Sequence, residues 1–192
     1  MKIFLFLFIF LPSLLSAQKI QGEAQYEIRT IYKGEEYNAK FITITYKNGM
    51  YRSVEKDSTG KIISEYSGNR KDSALYRIDR ETQMIFRLPW VEVDRNTRDT
   101  NSVISQTGRD SLMCGFKCTE YKVTNKIGFT TLWMTLDPRA DGFEMFYPGM
   151  KGVPFLMQTV AFNVDMTIRV TKYLDRKVTD KELALPKGYK IE

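Results

Sequence analysis

RDSLMCGFKCTEYKVTNKIGFTTLWMTLDP, residues 109–138, spells out two strands and their turns. Leu112 and Met113 run into a bend centred on Gly115. Cys118, Tyr121 and Val123 then alternate with polar residues, a turn follows at 125–128, and the run from Phe129 to Leu136 stops at Asp137-Pro138. Period-two alternation between turn residues is the mark of strands with one buried face. The same stretch holds both cysteines and one of the two tryptophans.

Toward the N-terminus the pattern repeats. Residues 22–30 alternate Ala24, Tyr26 and Ile28 with Glu23, Gln25 and Glu27, and residues 39–46 carry Ile42, Ile44 and Tyr46 on one side. Asn48-Gly49 supplies the left-handed backbone of a tight hairpin and leads into 50–55. Further strands are predicted at 61–66, 74–78 and 83–88. Links this short force antiparallel pairing, because a parallel crossover takes a dozen residues or more. Residues 92–110 are polar and read as a connection with one weak edge strand. They are not an interdomain linker, since neither half looks closed alone.

Toward the C-terminus, residues 137–152 combine Gly and Pro with Phe143, Met145, Phe146, Tyr147 and Met150. Strands follow at 155–162 and 166–174. Thr179-Asp180-Lys181-Glu182 is a capping box opening a helical turn that ends at Pro186-Lys187-Gly188. The fold expected is mainly β, one sheet with minor helix.

Residues 1–17 join Lys2, an apolar run from Ile3 to Leu11, Pro12 and small Ser16-Ala17, the layout of a secretory signal peptide. The run is shorter than the ~20 residues that span a bilayer. The expectation is an exported chain, periplasmic or secreted, with 18–192 as a single domain and no transmembrane segment after cleavage. The full chain carries 29 Lys+Arg against 23 Asp+Glu. These are scattered along strands with no basic run among stacking aromatics, which argues against nucleic acid.

There is no histidine. That removes Ser-His-Asp and Cys-His nucleophiles and histidine metal sites. The glycines sit singly at turns, so no phosphate-cradling loop is present. Carboxylates such as Glu120 and Asp137 are spaced as ordinary surface residues. No cofactor, no metal and no enzymatic activity is expected. Cys114 and Cys118 would lie ~13 Å apart on a straight strand, beyond the ~7 Å a disulfide allows. They bridge only if 115–117 is a turn, and a structural disulfide is favoured there over two free thiols. Phe143, Met145, Phe146, Tyr147, Met150, Phe155 and Met157 most often serve as core filling. The alternative is a Gly/Pro-hinged lid over an apolar cavity.

Cys114-Gly115-Phe116-Lys117-Cys118-Thr119-Glu120-Tyr121, then Thr131-Leu132-Trp133-Met134-Thr135, Lys151-Gly152-Val153-Pro154 and the closing Leu185-Pro186-Lys187-Gly188-Tyr189 together resemble a family of uncharacterised exported bacterial proteins. That family is grouped with the LolA/LolB-like lipoprotein carriers. The resemblance spans most of the mature chain. It implies a strongly curved antiparallel half-barrel whose concave apolar face is covered by short helices or loops. No residue set matches a carrier's release or docking function, so lipoprotein transport is not implied. The function expected is binding of a lipid or acyl chain, with Trp90, Trp133, Phe146, Met150, Phe155 and Met157 lining the cavity. The alternative is a ligand-free envelope module that meets a protein partner through a sheet edge or a basic face.

Overall fold

The computed structural model describes residues 21–89, 102–143 and 150–192. The predicted signal peptide, Trp90 and Phe146 lie outside the described residues. Six strands follow in a meander: β1 (Gln21–Tyr32), β2 (Glu35–Lys47), β3 (Met50–Lys56), β4 (Ile62–Asn69), β5 (Ala74–Asp79) and β6 (Met84–Leu88). A second meander holds β7 (Val103–Met113), β8 (Phe116–Asn125), β9 (Gly128–Thr135), β10 (Val153–Ala161) and β11 (Val164–Leu174). A 3₁₀ turn, Pro138–Phe143, stands between β9 and β10. After β11 come a one-turn helix α1 (Asp180–Leu183) and a two-residue strand β12 (Lys190–Ile191).

All twelve strands form one sheet in the order β12-β6-β5-β4-β3-β2-β1-β11-β10-β9-β8-β7. The two meanders join where β1 pairs antiparallel with β11, and β12 adds to β6 in parallel. Its two ends, β12 and β7, do not pair with each other, so the sheet stays open. It is also curved. Strands β8 and β11 stand three places apart, about 14 Å on a flat sheet at ~4.8 Å per strand. Yet the rings of Phe116 and Tyr173 lie 4.7 Å apart, edge to face.

The hairpins follow from their turn residues. Lys33-Gly34, Asn48-Gly49 and Cys114-Gly115 all take left-handed φ at both positions, the two-residue turn whose twist matches paired strands. Elsewhere a missing side chain allows close approach: a Cβ on Gly68 would fall 2.2 Å from the Tyr51 ring, which lies across it from the neighbouring strand.

The 3₁₀ turn rests on β1, β2 and β10, with Ala140 fully buried and its neighbour Arg139 offering its carbonyl to the Tyr46 hydroxyl at 3.1 Å. The segment after β11 crosses the outside of β2 and β3. There Lys47 reaches Asp180 at 2.6 Å, Arg52 donates to the carbonyls of Glu182 and Ala184, and Leu183 is buried. The capping box forms as expected, the Thr179 amide donating to the Glu182 carboxylate at 2.8 Å. That bond, with the Thr179 hydroxyl and then Arg176, lowers the Glu182 carboxyl to about 2.

Candidate functional site

Among the described residues, apolar side chains collect in two separate clusters. The larger gathers Ala24, Tyr26, Ile44, Tyr46, Phe116 and Phe155 under the 3₁₀ turn. Phe116 is its pivot: its ring lies 4.8 Å from Phe155 and 4.7 Å from Tyr173, and the Arg139 guanidinium sits 4.6 Å above it. The smaller is built from Val123, Leu132, Met134 and Met150, with Ile104, Tyr121 and Met157 part-buried at its margin. It draws on β7, β8, β9 and β10, with Met150 just before β10. Register explains the grouping: Leu132 faces Met157 on one side and Tyr121 on the other, while Val123 faces Ile104. Cross-strand neighbours of this kind share one face.

The proposed lining residues divide between these clusters. Met150 and Met157 belong to the smaller one, and Phe155 to the larger, where it is 1 % exposed. Trp133 alternates with Leu132 and Met134 and so points to the other face of β9. It packs part-buried against the larger cluster, with the Arg109 guanidinium 5.9 Å from its ring.

Both cysteines are free thiols, where a bridge was favoured from the sequence. The turn falls at Cys114-Gly115 and Phe116 already pairs with Met113, so residues 116–118 are strand rather than bend. Cys118 is buried; the Cys114 thiol is directed at the Val170 carbonyl, 3.8 Å away. Burial, and secondarily the neighbouring Cys114, push the Cys118 thiol up to about 11. Such a thiol is a poor nucleophile at neutral pH.

Three buried carboxylates among the described residues are the feature the sequence concealed. Glu120, expected at the surface, is buried and bound by Thr107 and Arg109; Glu27 is held by Arg29 and Arg169; Glu65 is held by Arg52 and Arg80. In each, burial raises the carboxyl pKa but the hydrogen bonds outweigh it, and the net shift is downward. They are permanently charged at neutral pH, fixed by their partners, and unsuited to proton transfer. Asp137 is likewise tied to Arg139, at 2.6 Å.

Between the ends of β4 and β5 the sheet parts. The two strands pair only from Tyr66 to Asn69 with Ala74 to Arg77. The gap below is a cavity of about 560 Å³ bordered by Lys61, Ile63, Glu65, Arg77 and Arg80. Three of its acids are already engaged, Asp57 and Asp79 within their own turns and Glu65 by the arginines.

No family profile and no curated protein matches the sequence. Among solved structures, an uncharacterized conserved protein from Thermus thermophilus aligns with a TM-score of 0.54 at 8 % identity, over 88 % of this chain and 89 % of that one. The chain shares the fold of that Thermus protein. Other solved structures found similar include a LolA superfamily protein from Nitrosomonas europaea, at TM-score 0.43 and 8 % identity over 86 % of this chain and 90 % of that one. The Mycobacterium tuberculosis lipoprotein LppX gives 0.43 at 7 % identity, over 85 % and 91 %. These two, like the Thermus protein, are matched along nearly their whole length. No helix among the described residues is long and apolar enough to cross a membrane.

Proposed function

We propose that this is an exported binding protein, not an enzyme, which holds a lipid or acyl chain against the smaller apolar cluster of its curved sheet. The observation that carries this reading is the cluster itself. It stands apart from the main core, two of its four buried members are methionines, and Ile104, Tyr121 and a third methionine, Met157, at its margin are only part-buried. Methionine adapts its shape to irregular apolar partners, and alkyl groups gain ~0.8 kcal/mol for each CH₂ buried. The motif resemblance to carrier-like proteins supports the same reading.

The test is native mass spectrometry of the protein purified from its own cells, followed by organic extraction. A stoichiometric apolar molecule that is lost in Met157→Lys, with the circular dichroism spectrum kept, is the expected outcome. A protein that arrives empty and takes up neither fatty acid nor phospholipid in vitro would sink the proposal.

One observation favours a second reading, a protein-interaction module. Strand β7 spans 11 residues at the end of the sheet, with no strand on its outer side among the described residues. Unpaired edges of this length are places for a partner strand to add. Crosslinking through a cysteine placed at Ser105 would capture such a partner.

A further inference from the structure

Seven of the thirteen exposed large hydrophobic residues among the described ones crowd one end of the sheet. Four form a row by register. Val103 pairs with Thr124, Thr124 with Phe129, Phe129 with Val160, Val160 with Asp165 and Asp165 with Ile31. Beyond the row stand three turn summits that carry Tyr32, Ile127 and Phe162, the last 72 % exposed. The summits are tied together, since the Lys33 amide donates to the Asn163 carbonyl at 3.1 Å and Ala161 pairs with Gly128.

Phe162 is the telling residue. Its turn, Phe162-Asn163, has left-handed φ of 49° and 63°; in Lys33-Gly34, Asn48-Gly49 and Cys114-Gly115 the first position is likewise a non-glycine residue, but there a glycine follows, whereas here an aromatic residue is followed by asparagine. A bulky L-residue costs roughly 1–2 kcal/mol there, and this one regains little by burial. A strained residue without a structural return marks a functional demand.

We propose that this end of the sheet docks on a lipid bilayer, with Tyr32, Ile127 and Phe162 entering the headgroup region. The charges identify the occupant. At the summits Lys33 and Lys126 stand among Glu35, Glu36 and Asp165, so the rim is near neutral, whereas the whole chain carries +6. The chain is drawn toward an anionic surface, and no strong local charge opposes insertion. The Lys33 ammonium lies 5.1 Å from the Tyr32 ring, the pairing of aromatic body and cationic head that suits a membrane interface. The summits are also separate, with Asn163, Thr124 and Gly34 between them. A folded partner would need a pocket for each; a fluid interface takes them one by one. The surface stands independently of the apolar-ligand reading, although Val123 and Ile104 of the smaller cluster lie one residue from the row, on the opposite face.

The experiment is co-flotation of the purified protein with phosphatidylcholine vesicles, with and without phosphatidylglycerol. Ile127→Ser and Phe162→Gly are each expected to weaken partitioning about tenfold, the share of one buried side chain. Leu112→Ser, at an equally exposed site on the opposite end, is the control and should change nothing. Phe162→Gly should also hold or raise Tm, because glycine adopts the turn freely, which separates lost docking from lost folding. Failure to partition, or equal partitioning by the Ile127→Ser, Phe162→Gly double variant, would overturn the proposal. So would a solution dimer that the two changes dissolve, which would assign the patch to a second copy.

Discussion

Glu65 is buried between Arg52 and Arg80, one arginine mostly covered and the other half exposed. Arg52 also holds the carbonyls of Glu182 and Ala184, so the carboxylate orders two cations and, through one of them, the C-terminal segment. Glu65→Ala should cost about 3–5 kcal/mol in denaturant unfolding, the usual penalty for stranding a buried charge. Adding Arg52→Met to Glu65→Leu should recover a large part of it. The three buried glutamates also set a pH dependence. Their folded pKa values lie below the ordinary 4.5, so the stability they confer is fully present above that value. It drains away as pH falls through the lowered folded values. Tm should be flat from neutral pH to about pH 5 and then fall, less steeply in Glu120→Gln. None of this was legible beforehand. Alternation told which side of a strand Glu120 occupies, but not that the 106–110 bulge would bring Arg109 over that side.

The hairpins were the most readable elements, because their turns need residues that tolerate a left-handed backbone. Asn48-Gly49 was placed from its sequence, and Gly49→Ala should cost roughly 1–2 kcal/mol in thermal or denaturant unfolding. At the β7–β8 tip the bend was read one residue too late, and the favoured disulfide came with that displacement. Cys114→Asn gives a direct check. Asparagine suits a left-handed turn position, so the variant should match or exceed the wild-type Tm with and without reductant. Were the thiols bridged, it would lose stability in oxidising buffer alone. Strand β7 was legible only as a weak edge strand. Its 11 residues slip register between Gln106 and Asp110, with Gly108 at a φ of 79°, and that bulge breaks the alternation by which strands are recognised.

At the scale of the whole molecule, short links correctly implied antiparallel neighbours, while the open curved sheet was implied by the family resemblance and not by the links. The closure of β1 on β11 left no local mark, because its partners are distant in sequence. Nor did β12, whose two exposed residues carry no pattern. Yet the tail it ends shields both an outer surface and an edge: Val178 and Leu183 are buried, and Arg87 donates its amide to the last carbonyl, of Glu192, at 2.7 Å. Removing residues 178–192 should cost about 3–6 kcal/mol for those two aliphatic side chains. It should also bare β6, so that size-exclusion chromatography shows dimers or larger species. The β1–β11 seam has a consequence in time. Tyr26 is among the first residues of the sheet to be made, and its neighbour Val170 is among the last. A chain emerging from its N-terminus must therefore carry an unfinished strand until nearly all of it is free. Refolding should run in milliseconds to seconds, as for other sheets knit from remote segments, and nascent chains cut short before β11 should remain open to proteases and chaperones.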